Sequence, residues 1–326
     1  MNILVTGAAG FLGRRLIEAL LQRGTLTDRQ GLSQNITRIV AFDVVPLAGI
    51  DDPRVQVVCG DIAEAKVLES LVDARTDSIF HLAAVVSSQA EQDFELGMRI
   101  NFSATHNLLE RIRSLDTCPK WVMTSSVAVF GGKLPAQVED DQVWAPQSSY
   151  GTQKAMNDLL LADYSRRGFV DGRSLRMPTI VVRPGKPNLA ASSFASGIIR
   201  EPLNGQHSVC PVPLDTRLWL MSPAQAISNL IHGHELAAEQ LTQGRVINMP
   251  GLSVTVQQMI DALRQTAGDQ VASRIAVLPD PAIVRIVGSW PGSFAARYAK
   301  DLGFTADHDF ADVIGQFMAQ YPAHAT

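Results

Sequence analysis

The chain is poor in cysteine: three residues in 326, Cys59, Cys118 and Cys210, widely spaced and with no CxxC pair among them. That excludes a disulfide scaffold and a cysteine metal site, and it favours reduced thiols in a cytoplasmic protein. A surplus of positive charge is also lacking. Against 32 Asp and Glu stand 28 Lys and Arg, a net charge of −4, so the basic footprint of a nucleic-acid partner is absent. No apolar run reaches the roughly 18 residues a membrane span needs. Nor does the N-terminus, Met1-Asn2-Ile3-Leu4-Val5-Thr6-Gly7, carry the basic flank and cleavage site of a secretion signal; it has the pattern of a core strand. Internal repeats and low-complexity tracts are missing too.

What remains is ordinary globular composition, 46% hydrophobic and 18% charged, arranged with a rhythm. Short apolar runs at 2–6, 38–42, 55–58, 78–82 and 120–124 alternate with helical patterns at 11–23, 64–72, 91–114 and 150–167. Alternation of this kind predicts βαβ units and an α/β fold, a Rossmann doubly wound parallel sheet with both faces covered by helices. Nearly all-apolar strands fit such double burial. Residues 24–35 are too polar for a buried element and predict a surface insertion. Beyond about residue 175, Pro178, Pro184, Pro187, Pro202, Pro211 and Pro213 interrupt the rhythm, and proline at that density favours loops. Further on come helical patterns near 223–236 and 256–267, with an apolar run at 245–249. The expected organisation is a nucleotide-binding domain over 1–175 and a smaller, mainly substrate-binding domain over 176–326, with some segments returning to the first.

Chemistry enters at Thr6-Gly7-Ala8-Ala9-Gly10-Phe11-Leu12-Gly13, after the first strand and at the start of the first helix. Gly7 permits a tight turn, Gly10 lets the backbone approach a pyrophosphate, and Gly13 allows close helix–strand packing. The helix start offers the unpaired N–H groups of Phe11 and Leu12 to the phosphates. The strand-loop-helix context is what turns a three-glycine pattern into a dinucleotide site; without it, a tight turn with no ligand has the same spacing. Asp43 ends the second strand, where a carboxylate accepts ribose hydroxyls and repels a 2′-phosphate. Val44 and Val45 follow, so no cation is ready to hold that phosphate, and NAD is favoured over NADP. Arg14 is a counter-signal, being placed where an arginine can reach a phosphate. Asp61-Ile62 closes the third strand; Asp61 suits either the adenine amino group or a helix N-cap.

Tyr150 and Lys154 stand at i and i+4, on one face of a helix. An ammonium beside a phenol favours the phenolate and prepares it as a general base. Upstream, Thr124-Ser125-Ser126 puts hydroxyls at the C-terminal edge of the sheet, where ligands of open α/β sheets bind. Ser126 can hold a substrate oxygen against the tyrosine. Taken singly, each of these has a bland alternative in a strand-end turn or a solvated side chain.

Together they resemble the extended short-chain dehydrogenase/reductase family, which includes sugar-nucleotide epimerases. The resemblance is carried by Gly7, Gly10, Gly13, Asp61-Ile62, His81-Leu82-Ala83-Ala84, Asn101, Ser125-Ser126, Tyr150 and Lys154, in order through the first half. It implies a catalytic triad of Ser126, Tyr150 and Lys154, the lysine also binding the nicotinamide ribose. It further implies that Leu82, Ala83, Ala84, Asn101, Ser125, Pro178 and Thr179 line the cofactor cleft. Phe130 replaces the tyrosine many relatives carry before the glycine.

In the second half, the stretches 179–188, 192–203 and 250–255 resemble a sugar-acid dehydrogenase branch of that family. That resemblance implies NAD-linked oxidation of a four-carbon sugar acid at C2. Arg183 and Arg217 are the cations suited to its carboxylate, and Asn188 or Ser87 to its remaining hydroxyls. The competing readings are a nucleotide-sugar epimerase or dehydratase that retains its NAD and a non-catalytic NAD sensor, the latter disfavoured by the intact triad. The expected partner is a small sugar acid, with no metal, nucleic acid or membrane; a homodimer is compatible with the pattern. A first prediction follows from Asp43: catalytic efficiency with NAD should exceed that with NADP by about tenfold or more, the equivalent of about 1.4 kcal/mol. A clear NADP preference would remove Asp43 from the ribose.

Overall fold

In a computed structural model, residues 1–185 and 192–322 are described. The chain divides into two compact units: residues 1–126, 148–176 and 227–247 form the first, and 127–147, 177–226 and 248–322 lie in the second.

The first unit is built on a seven-stranded sheet. Its strands are β1 (Asn2–Thr6), β2 (Arg38–Asp43), β3 (Val55–Cys59), β4 (Ser78–His81), β5 (Lys120–Ser126), β6 (Asp171–Met177) and β7 (Val246–Asn248), in the order β7-β6-β5-β4-β1-β2-β3. β3, β2, β1, β4 and β5 run parallel, Thr6 lying beside both Phe42 and His81. This is the doubly wound order, and it reverses direction between β1 and β4, the point where such sheets bind ligands. Ile3, Leu4, Val5, Ile79 and Phe80 are buried, as strands covered on both faces should be.

Helices α1 (Phe11–Arg23), α2 (Ala65–Leu71), α5 (Ala104–Leu115) and α6 (Ser149–Arg166) match the expected helical patterns within one or two residues at most of their ends. The stretch 91–114 is the exception. Instead of one helix it spans the end of α3 (Ser87–Gln92), α4 (Phe94–Gly97), a π-helical turn (Met98–Ser103) and all but the last residue of α5. Asp93 makes the first break: its carboxylate accepts the Leu96 N–H at 2.9 Å, capping α4 rather than continuing α3. The polar insertion is a small antiparallel hairpin, Thr25–Thr27 with Ser33–Asn35. Asp28 closes its turn by accepting the Gln30 and Leu32 N–H groups, each at 2.9 Å, while Leu26 is buried.

The second unit packs helices such as Ser193–Leu203, Val256–Ala267 and Phe310–Gln320 around a three-stranded sheet. In that sheet Arg217–Met221 lies parallel to Thr179–Ile180 and antiparallel to Leu252–Thr255. A capping box starts the helix at Val256: Thr255 Oγ1 accepts the Gln258 N–H at 3.2 Å and Gln258 Oε1 accepts the Thr255 N–H at 2.7 Å. The box satisfies two donors of that helix start, and the Val256 and Gln257 N–H groups reach the Thr216 and Leu214 carbonyls at 3.0 and 2.8 Å. Phe130 packs edge-on against Phe294, ring centres 5.4 Å apart, and no helix among the described residues is long and apolar enough to cross a membrane.

Two glycines separate close packing from backbone freedom. A methyl on Gly13 would stand 2.1 Å from the Gly7 carbonyl oxygen and 2.8 Å from Ala8 Cα. Gly24 ends α1 with φ +73° and has open space around it. Gly13→Ala should therefore cost about 3 kcal/mol or more in urea unfolding, since backbone rather than a side chain must yield. Gly24→Ala should cost only the left-handed strain, about 1–2 kcal/mol. Equal losses would mean that the helix–strand approach is not limiting.

Candidate active site at the sheet edge

The carboxyl edge of the first unit gathers most of the expected residues. Gly7, with φ +72°, lies so close to the segment after β4 that a methyl there would meet Ala83 N at 2.8 Å and the Leu82 carbonyl carbon at 2.9 Å. Gly10 precedes α1 with no side-chain cap and no acid in the first turn. The first N–H groups of α1, including those of Phe11 and Leu12, therefore have no helical acceptor and face the loop with the positive end of the helix dipole. A loop of small residues, with no room for a side chain at Gly7 and helix-start donors at its end, fits a dinucleotide pyrophosphate.

Asp43 stands beside this loop. Its Oδ2 accepts the Ala9 N–H at 2.9 Å and its Oδ1 the Val44 N–H at 2.7 Å, which orients the carboxylate and leaves lone pairs for further donors. Arg14, the counter-signal, is occupied elsewhere: it donates to the Ala48 carbonyl and lies 3.7 Å from Glu18. Asp61 does not cap α2, whose N-cap residue is Glu64. One of its oxygens accepts the Ala63 N–H at 2.9 Å and the other pairs with Arg99. Ile62 beside it is buried.

Ser125 and Ser126 end β5. The Ser125 hydroxyl is buried and has no partner among the described residues, an opening that a bound ligand can fill. Tyr150 and Lys154 lie on the first turns of α6, which opens at Ser148, whose hydroxyl accepts the Gly151 N–H at 3.1 Å. Lys154 Nζ sits 5.6 Å from the centre of the Tyr150 ring and donates to the Thr124 carbonyl at 2.7 Å. The lysine is 4% exposed. Burial pushes its ammonium down to about 8, with Asp158 pulling the other way.

Asn101, expected to line the cleft, is buried at 2% exposure in the π-helical turn. Its side chain accepts the Val85 N–H at 2.9 Å and donates to the Val85 carbonyl at 3.2 Å and to Gln153 at 2.8 Å. It therefore acts on the segment after Leu82, Ala83 and Ala84 by holding Val85. Ser87 is the first residue of α3. Pro178, Thr179, Arg183 and Arg217 belong to the second unit, and Asn188 lies outside the described residues.

The two arginines are not brought together. Arg217 begins its strand and donates weakly to Ser253, whereas Arg183 follows the far end of the parallel strand Thr179–Ile180. The Arg183 Nε turns back to the Ile180 carbonyl at 3.0 Å.

A buried polar chain went unnoticed in the sequence. Thr105 Oγ1 donates to the Asn101 carbonyl at 2.9 Å, so His81 Nε2, 3.0 Å away, must donate to Thr105. His81 Nδ1 then accepts from Thr6 Oγ1 at 2.8 Å, and Thr6 Oγ1 accepts the Ala83 N–H at 3.2 Å. This fixes one neutral tautomer, and burial with Lys154 nearby holds the imidazole down to about 3. The available signal was a threonine and a histidine, each closing a strand whose middle is apolar.

With the fold and the site in view, comparison with known proteins places the chain. A model of the NAD dependent epimerase/dehydratase family matches residues 3–221, and the chain belongs to that family; its cofactor is NAD. It is 55% identical to D-erythronate dehydrogenase of Cupriavidus necator and 46% identical to D-erythronate dehydrogenase of Haemophilus influenzae, over 98% of this chain in both cases and 98% and 99% of theirs. Among solved structures it resembles the nucleoside-diphosphate-sugar epimerase from Agrobacterium tumefaciens, with TM-score 0.93, 43% identity, and coverage of 98% of this chain and 94% of that one.

The buried lysine gives a pH prediction. Its folded value, about 8, lies below the ordinary 10.4 or so of an unfolded lysine. The unfolded chain therefore holds more protons between these values, and stability rises with pH across that window. Relative to Lys154→Met, the wild type should gain about 1.5 kcal/mol between pH 8 and 9.5, measured by urea unfolding. A pH-independent difference would mean that the ammonium is hydrated.

Proposed function

We propose that the protein oxidises D-erythronate at C2 to 2-dehydro-D-erythronate, with NAD as the electron acceptor. The observation carrying this is the 55% and 46% identity, along essentially the whole chain, to two proteins named D-erythronate dehydrogenase. Ser126, Tyr150 and Lys154 being all present supports it.

In this reading Gly7, Gly10, Gly13 and the N–H groups of Phe11 and Leu12 hold the pyrophosphate. Asp43 takes the adenosine ribose, and Asp61 and Ile62 the adenine. Leu82, Ala83, Ala84, Ser125, Pro178 and Thr179 line the remainder, with Asn101 supporting them through Val85. Bound NAD supplies the acceptor for the electron pair of the C2–H bond. Tyr150 removes the hydroxyl proton as general base, and Ser126 hydrogen-bonds the same oxygen to orient it. Lys154 lowers the tyrosine's proton affinity by its charge and donates to the nicotinamide ribose. Ser87 and Asn188 are assigned to the substrate hydroxyls. Carboxylate recognition falls to Arg183 or Arg217 singly, since they stand at opposite ends of their sheet.

A second reading, a nucleotide-sugar epimerase that retains its NAD, is favoured by the likeness to the Agrobacterium protein. The two differ in what accumulates: a dehydrogenase releases NADH into solution, and an epimerase does not.

Adding D-erythronate and NAD should raise absorbance at the NADH band. Tyr150→Phe should lose about a hundredfold or more of turnover, within the range of general acid–base contributions, while NAD affinity changes little. Arg183→Ala or Arg217→Ala should cost about ten- to a hundredfold in efficiency, as expected for one charged hydrogen bond. Robust turnover of a nucleotide sugar with none of D-erythronate would establish the epimerase reading instead.

A further inference from the structure

Gln153 precedes Lys154 on α6 and is 1% exposed. Its orientation is dictated by a backbone group several links away. The Val85 N–H must meet an acceptor, which is Asn101 Oδ1 at 2.9 Å. That turns Asn101 Nδ2 toward the Val85 carbonyl and toward Gln153, which has to present its oxygen; Oε1 accepts at 2.8 Å. Gln153 Nε2 is then left buried with no hydrogen-bond partner among the described residues. It lies against Gly97 and Ala90: a methyl on Gly97 would approach Nε2 to 2.6 Å and Ala90 Cβ to 3.0 Å.

An unpaired buried amide donor is destabilising. A smaller or apolar side chain at 153 would avoid that cost, yet the fold keeps glutamine and leaves Gly97 without a side chain to make room for it. The acceptor half of the amide is what the fold retains. It ties the π-helical turn, and through it Val85 and the segment after β4, to the helix that carries Tyr150 and Lys154.

We propose that Gln153 is a positioning residue that fixes the Leu82-to-Val85 segment against α6, so that the cofactor cleft and the reacting pair keep one register. The proposal rests on the reading of Tyr150 and Lys154 as that pair. Orientation errors of a few tenths of an ångström at a reacting centre lower turnover more than binding, so the lock should act on kcat.

Three variants test it in the full-length protein. Gln153→Met conserves volume and deletes the acceptor. Gly97→Ala keeps both amides and displaces Gln153 from the other side, and it carries the test should Gln153→Met fail to fold. Gln153→Glu restores an oxygen for Asn101. Amide exchange of Val85, followed without cofactor, should accelerate about tenfold in the first two variants and return to within about threefold of wild type in the third. Turnover of D-erythronate per folded molecule should follow the same pattern, falling about tenfold in kcat with KM within about twofold. Unchanged Val85 exchange, or a loss of activity that only mirrors a loss of folded protein, would overturn the lock. Tyr150→Phe separates the two ideas: it should lose about a hundredfold or more of turnover and leave Val85 exchange at the wild-type rate. If Tyr150→Phe stayed active, the choice of reacting pair would fail, whereas faster Val85 exchange in Gln153→Met would still support the tie.

Discussion

The first unit depends on how closely α1 approaches β1. With a methyl on Gly13 only 2.1 Å from the Gly7 carbonyl, the helix start and the strand end share a space that backbone alone can occupy. That contact sets where the first N–H groups of α1 point. The reciprocal limit, a methyl on Gly7 only 2.8 Å from Ala83 N, sets how near the segment after β4 can lie. Glycine is used here for exclusion of side chains as much as for its dihedral freedom. Both consequences meet at the reversal of strand order between β1 and β4.

Close packing at a parallel sheet's edge leaves polar groups with little water to satisfy them, and the fold answers with a directed chain. From Ala83 through Thr6, His81 and Thr105 to Asn101, every hydroxyl both gives and receives a hydrogen bond. Asn157 adds a second donor to the Asn101 carbonyl at 2.6 Å. Helix α6 meets this chain through Gln153 and Asn157, which bond Asn101, and buries Lys154 and Asp158 as well. Asp158 in turn receives Arg176 Nε at 2.8 Å and the Ser174 hydroxyl. A helix buried through polar side chains is held by hydrogen-bond pairing more than by an apolar stripe, and the two of its atoms left without a partner among the described residues, Gln153 Nε2 and Asn157 Oδ1, are costs the network carries.

That explains what the sequence could and could not disclose. Strands β1, β2, β4 and β5 were legible because double burial makes their middles apolar, and the ends of β1 and α1 were found to the residue; β6, buried throughout yet carrying Asp171, Arg173, Ser174 and Arg176, was not. Helix α6 was read as a helical pattern over 150–167, one residue off at each end, although its buried face is largely polar. The region 91–114 looked continuous because its apolar residues keep a helical period across Asp93, while the break is made by one carboxylate bonding back to the chain. Positions needing particular backbone, such as Gly7 and Gly13, announced themselves. Side chains acting through partners distant in sequence did not: nothing near residue 101 or 153 says that the two amides meet, and nothing near 183 or 217 says that the two arginines stand apart.

The electrostatics of the edge follow from the same economy. His81 is kept neutral by burial and by Lys154, and Asn101, Gln153 and Thr105 carry no charge. Asp158 is neutralised by Arg176 beside it. Near the Tyr150 ring stands the Lys154 ammonium, buried and directed by the Thr124 carbonyl. A single fixed charge in a poorly hydrated site acts far more strongly on its neighbour than the same charge in water. Neutral hydrogen-bonded groups around it position the pair without competing with its field. The residues that hold the cleft in shape are therefore of a different chemical kind from those suited to move a proton, and the fold can rigidify the one set without altering the charge of the other.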